Sequence, residues 1–229
     1  AIWESSALLV DQAKKIAADL LEASEEDLSL NTDSGLFHVV GTPSIGVSWR
    51  DVAKFAETGT DGPRLLHAEE VFDSEGPTFP FGTHVAVIEL DVETGAVELK
   101  RLVACDDAGV ILNPLLADGQ VHGGLAQGAA QALVEEFRYD EYGNPLTSNF
   151  ADYPVISATE LPMFERVVLE TPTHINPLGA KGIGESGTVG ATPAIQNAVI
   201  DALSHLGIRH LDMPLTPEKV WREIQAFTV

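Results

Sequence analysis

The chain has 229 residues, 45% of them hydrophobic and 21% charged, which is enough apolar material for a real core in one or two domains. Its 13 Lys and Arg stand against 35 Asp and Glu, and the formal charge of -22 repels phosphate, arguing against a nucleic-acid partner or an anionic membrane surface. No apolar run is long enough to span a bilayer, so membrane insertion is not expected, and the amino end lacks the basic and apolar regions of a signal peptide, which makes the cytoplasm the default compartment. The single cysteine, Cys105, excludes an internal disulfide framework and any all-cysteine metal or iron–sulfur site built by this chain alone.

From Leu9 to Leu21 the apolar residues Leu9, Ala13, Ile16, Ala17 and Leu20 share one helical face. Ser24 and Asp27 read as the cap and third-position acid of a short turn. Leu28–Asn31 and Leu36–Val40 flank Thr32-Asp33-Ser34-Gly35, a hairpin signal, and Ser48 with Asp51 opens a short helix to about Phe55. The middle is strand-rich: His84–Val92 and Val97–Cys105 are joined by the turn Glu93-Thr94-Gly95-Ala96. After Asn113-Pro114 comes an Ala/Gly/Gln segment from about Leu115 to Phe137, then a turn at Tyr142-Gly143-Asn144-Pro145 and a short strand at Glu165–Glu170. Two helices close the chain. Thr192-Pro193 opens the first, striped by Ile195, Val199, Ala202 and Leu206; Thr216-Pro217 opens the second, striped by Val220, Trp221, Ile224 and Phe227. Strands and helices mix without βαβ alternation, which predicts an α+β fold of mixed sheets with packed helices.

Two segments carry chemistry. Residues 179–190 hold five of the chain's 20 glycines ahead of the predicted helix at Thr192. Such a loop lets backbone N–H groups approach a ligand, and a helix amino end attracts negative charge. It is no Walker loop, because Lys181 is not followed by Ser or Thr. Glu185, an acid among glycines, Ile183 and Val189, is either a proton acceptor made basic by desolvation or a loop residue capping neighbouring N–H groups. In the second segment, Asp118–Gln131, a helix would put Gln120, Gln127 and Gln131 near one line with Gly124 between them and His122 pointing elsewhere. Glycines cost about 1 kcal/mol each inside a helix, so they mark either close helix–helix packing or a ligand against that face. The seven histidines form no zinc-ligand spacing, Cys105 follows an apolar strand as a small hydrophobe would, and no Gly-x-Ser-x-Gly elbow is present.

Residues 179–198 (Gly-Ala-Lys-Gly-Ile-Gly-Glu-Ser-Gly-Thr-Val-Gly-Ala-Thr-Pro-Ala-Ile-Gln-Asn-Ala) closely resemble the carboxy-terminal signature of the molybdenum hydroxylase large subunit, the family of xanthine dehydrogenase, aldehyde oxidoreductase and aerobic carbon monoxide dehydrogenase. Asp107–Pro114, Gly119–Gly128 and Pro214–Trp221 are similar to further segments of that family, in the same order. The resemblance implies part of a molybdopterin-binding domain. It implies that Glu185 is the general base of the hydroxylation, that Gln120 lies close to the molybdenum and pterin, and that Lys181, Gly182, Ile183 and Gly184 line the cofactor. It further implies molybdopterin cytosine dinucleotide as the cofactor, with FAD and iron–sulfur clusters on partner chains. The substrate would be a small molecule: an aldehyde, an N-heterocycle or carbon monoxide.

Family large subunits are much longer, and the likeness covers their last third. The expectation is therefore a carboxy-terminal portion across residues 1–229, with subdomains at about 1–110 and 111–229 as a finer division. It would hold half a cofactor site and stay inactive without the remainder of the large subunit and the iron–sulfur and flavin subunits. A non-catalytic assembly module retaining the fold is the rival reading. The acid excess is either a solvated surface, since the acids spread over four segments, or an adaptation to high salt. The second predicts a melting temperature that climbs from low to molar salt; a flat profile leaves the solvated surface.

Overall fold

The stripe read from Leu9 to Leu21 belongs to a longer helix, α1 (Ile2–Leu21), in the computed structural model, which describes residues 1–58 and 62–228. The chain divides into two units, Ala1–Asp73 and Ser74–Val229, so residue 110 lies inside the second. In the first unit the hairpin forms as predicted, β1 (Leu28–Asn31) against β2 (Leu36–Val39), with the Asn31 carboxamide accepting from the N–H groups of Asp33 and Ser34 in the turn. A third strand, β3 (Thr42–Ser48), was not foreseen because Pro43 and Gly46 interrupt its pattern. Gly46 is needed there: a Cβ would stand 2.8 Å from the Phe37 carbonyl oxygen on β2. Ser48 and Asp51 exchange backbone-to-side-chain hydrogen bonds, each 3.2 Å, and open α2 (Trp49–Thr58) as expected. Ser24 precedes a single 3₁₀ turn (Glu25–Asp27), but its side chain caps nothing. Ala13, Ile16 and Ala17 of α1 pack with Leu28, Phe37 and Val52 to form this unit's core.

The second unit is built on a mixed sheet ordered β4-β5-β6, with β4 (Phe81–Leu90) antiparallel to β5 (Val97–Asp107) and β6 (Glu165–Leu169) parallel to it. Asn113 caps α3 (Pro114–Leu133), its side chain accepting from the Leu116 N–H at 3.1 Å. Leu102 and Ala104 of β5, Val121 and Leu125 of α3, and Ile195 of α4 (Ser186–Leu203) form one core. The far end of α4 packs with α5 (Pro217–Thr228) through Val199, Leu203, Val220 and Ile224, while Trp221 and Phe227 of the predicted stripe remain substantially exposed. The fold is α+β, with helices packed on mixed and antiparallel sheets. No helix among the described residues is long and apolar enough to cross a membrane.

One correction bears on the site. α4 begins at Ser186, not at Thr192-Pro193, and Glu185 itself takes the N-cap position. Pro193 lies inside the helix and deprives the Val189 carbonyl of its usual partner. The reason is tertiary. Thr188 Oγ1 donates to the Gly124 carbonyl of α3 at 3.0 Å, Thr192 Oγ1 reaches the Gly128 carbonyl at 3.4 Å, and the constant 64-residue offset means the two helices run parallel in backbone contact. That contact needs glycine. A Cβ on Gly187 would lie 2.7 Å from the Val121 carbonyl oxygen, and one on Gly128 would lie 2.8 Å from Ala191 Cβ. Gly187→Ala should therefore cost about 1–3 kcal/mol in denaturant unfolding. Gly123→Ala, whose Cβ would meet nothing within 4 Å, should be neutral or stabilise by up to about 1 kcal/mol.

Candidate functional site

The helix register places Gln120 on α3 level with the last residue of the glycine loop. Its Nε2 donates to the Gly184 carbonyl at 2.6 Å, so the amide and the Glu185 backbone are separated by one peptide unit. The other two glutamines of the line serve the helix interface instead: Gln127 and Gln131 accept from the hydroxyls of Thr188 and Thr192 at 3.4 and 3.3 Å. His122 faces away from this line, near the Phe164 ring.

Two concavities meet at Gly184. One, of about 400 Å³, is lined by Gly182, Gly184 and Glu185 together with Phe81, His84 and Asp106. The other, of about 360 Å³, is lined by Gln120, Lys181, Ile183 and Gly184 with Leu112 and Leu116. All six residues singled out in the sequence thus gather on the two faces of one loop. Glu185 is exposed, and so is Gln120; the desolvation expected around Glu185 is not supplied by the described residues. A Cβ on Gly182 or Gly184 would meet nothing within 4 Å, which leaves the loop backbone open to a ligand.

The sequence reading missed the groups that hold this loop. Asp107, at the end of β5, is fully buried and accepts from Thr171 Oγ1 at 2.6 Å, the Gly109 N–H at 2.9 Å and Lys181 Nζ at 3.0 Å. The Lys181 ammonium also sits 4.7 Å above the centre of the Phe81 ring. The backbone adds two ties, Val110 N–H to the Gly179 carbonyl at 3.0 Å and Lys181 N–H to the Ala108 carbonyl at 2.8 Å. Gly109 is fixed by this crossing: its φ is +65°, and a Cβ would lie 2.2 Å from the Gly179 oxygen. The other omission is His84, whose Nε2 lies 3.0 Å from Asp106 Oδ1 with both side chains 2% exposed. Gly82, paired with Asp106 across the ladder, leaves room for that carboxylate to lean toward the ring. The available signals were the Asp106-Asp107 pair closing an apolar strand and a histidine in phase with Ala86 and Ile88.

Burial alone would raise the Asp107 carboxyl, but the Thr171 hydroxyl, the Gly109 N–H and the Lys181 ammonium outweigh it and hold the group well below the usual carboxylate range.

The donor set that this chain offers is open glycine backbone at the start of a helix, one amide and one carboxylate. It suits an organic, phosphate-bearing group rather than a bare metal ion. Residues 1–162 match the molybdopterin cofactor-binding domain family. The carbon monoxide dehydrogenase large chain of Afipia carboxidovorans is 38% identical over 214 residues, covering 92% of this chain and 26% of that one. The nicotine 6-hydroxylase large subunit of Paenarthrobacter nicotinovorans is 39% identical over 215 residues, covering 90% and 26%. Among solved structures, quinoline 2-oxidoreductase from Pseudomonas putida 86 superposes with a TM-score of 0.86 at 34% identity, covering 97% of this chain and 29% of that one. Carbon monoxide dehydrogenase from Oligotropha carboxidovorans gives 0.87 at 35% identity, covering 98% and 28%. The chain belongs to the molybdopterin-binding large-subunit family of molybdenum hydroxylases. It spans about a quarter of the length of these relatives.

The Asp107 cluster has a pH signature. A depressed folded-state pKa contributes stability that is present above the ordinary carboxylate value, about 3.9, and is lost as pH falls through it toward the folded value. Between about pH 5 and pH 2 the unfolding free energy of the native sequence should therefore fall more steeply than that of Asp107→Asn. Urea unfolding at stepped pH reads this directly, and equal slopes would contradict the assignment.

Proposed function

We propose that this chain contributes Glu185 and one wall of the cofactor pocket to a molybdenum-dependent hydroxylase that takes its oxygen from water. The reading is carried by the Gln120–Gly184 hydrogen bond, which brings the two motif segments together immediately beside Glu185. In the overall reaction an oxygen from water enters the substrate while two electrons and two protons leave. The molybdenum cofactor, when bound, supplies the two-electron acceptor and activates the water.

The chain's own residues do the rest. Gly182 and Gly184 give the cofactor unobstructed backbone, and the amino end of α4 offers N–H groups to its negative charge. Gln120 spends one amide hydrogen on the Gly184 carbonyl and keeps its other hydrogen and its oxygen for the cofactor side. Glu185, on the N-cap of α4, accepts the proton released as oxygen is delivered to the substrate. Water is excluded by whatever covers the exposed apolar rim of the two concavities, where Phe81, Leu112, Leu116 and Val189 are each more than half exposed. The remainder of the large subunit fits that need.

The cofactor in this reading is the molybdopterin cytosine dinucleotide form, and iron–sulfur and flavin subunits in the cytoplasm carry the electrons away. Aldehydes, N-heterocycles and carbon monoxide are the substrate classes; the relatives bear names for carbon monoxide, nicotine and quinoline.

In the assembled enzyme, Glu185→Gln should keep its molybdenum and pterin content while turnover falls by about 10²–10⁴. Wild-type turnover in that variant would remove Glu185 as the base.

A further inference from the structure

The loop before Glu185 carries a lysine whose charge points into the protein. Lys181 is 10% exposed at its side chain, and its ammonium is taken up by the Asp107 carboxylate at 3.0 Å and the face of the Phe81 ring at 4.7 Å. Asp107 is fully buried, and its two oxygens are committed to Lys181 and Gly109 on one side and Thr171 on the other. These bonds tie three separate segments to the end of β5: the turn at Gly109, the strand exit at Thr171 and the glycine loop at Lys181. The loop glycines 182 and 184 carry no side chain to anchor them, and Ile183 between them packs on the core. The side chains that help set the position of Glu185 are the Asp107–Lys181 clamp on one side, added to the backbone ties at Gly179 and Lys181, and Gln120 on the other, where Glu185 joins α4 as its N-cap.

We infer that Asp107 is a positioning residue for the proposed reaction. Through Lys181 it fixes the register of the loop that ends in Glu185, and Lys181 is the clamp's second half rather than a direct ligand of an anionic cofactor. The physical reason is geometric and electrostatic. A buried carboxylate requires its cation, so Lys181 cannot turn outward to a phosphate without stranding Asp107 among low-dielectric groups. A loop released by even about 1 Å would move a proton acceptor out of productive geometry.

The inference rests on the reading of Glu185 as the base, and its test separates the two. In the assembled enzyme, Asp107→Asn, Lys181→Met and the double variant are compared for molybdenum and pterin content, kcat and KM, and amide hydrogen exchange across residues 179–185. The clamp predicts that both single variants retain the cofactor and lose kcat by about 10- to 100-fold with little change in KM. It also predicts loop amides that exchange at least about tenfold faster while residues 121–133 of α3 keep their protection. The double variant should be no worse than the worse single, because the two residues act as one unit. Lys181→Arg, which keeps the charge, should recover most of the activity. Loss of cofactor in Lys181→Met but not in Asp107→Asn would make the lysine a ligand and overturn the inference. So would kcat and loop exchange within twofold of wild type in both variants. If Asp107→Asn does not assemble, the contrast between Lys181→Met and Lys181→Arg decides: activity equal in those two refutes the clamp. A clamp that fails while Glu185→Gln still abolishes turnover leaves the proposed function standing; wild-type turnover in Glu185→Gln sinks the function itself.

Discussion

Two helices can run side by side at backbone distance only where glycine clears the crossing, and the rest of this site is arranged around that constraint. Gly124 and Gly128 on α3 face Gly187 and Ala191 on α4, and the threonines between them bond across to the glycine carbonyls. Because the contact is so close, the sliding register of the two helices is fixed at a 64-residue offset. The amide of residue 120 is thereby delivered to the carbonyl of residue 184. A looser pair, held by interdigitated leucines, would tolerate a shift along the axis; backbone contact does not.

The same contact explains where the sequence was legible and where it was not. Hairpin β1–β2, the antiparallel pair β4–β5, the Ser48–Asp51 cap and the Asn113-Pro114 start of α3 were written in local patterns and emerged as read. The start of α4 was not. Thr192-Pro193 is a good local start signal, but the glycines before it are recruited into the helix by packing on α3, and Pro193 is left as an interior defect. Helix propensity lost to tertiary contact at that point. The site residues were legible through glycine density and motif likeness. Asp107 was passed over because nothing in its neighbourhood in sequence reveals that Thr171 and Lys181 converge on it from 64 and 74 residues away.

Electrostatics divides the site into a dry side and a wet side. Beneath the loop, Asp107 with Lys181 and His84 with Asp106 are closed off from solvent. Above it, Glu185 and Gln120 are open, and the apolar side chains that rim them are exposed among the described residues. A carboxylate underneath with both oxygens bonded, at Asp107, and exposed apolar surface on top is the arrangement of one half of an interface.

The parallel course of α3 and α4 also settles a question of polarity. Both helices turn their amino ends in the same direction, α3 projecting about two turns further, so their dipoles add where an antiparallel pair would cancel. In a chain of formal charge -22 these ends offer N–H groups against a negative background to which Glu185, at the N-cap of α4, itself belongs. Beyond a Debye length, about 8 Å at physiological ionic strength, the net charge of this chain repels an approaching anion; within it, the anion meets the local N–H groups. For the phosphate-bearing cofactor proposed above, these helix ends would therefore act through short-range capture rather than long-range steering.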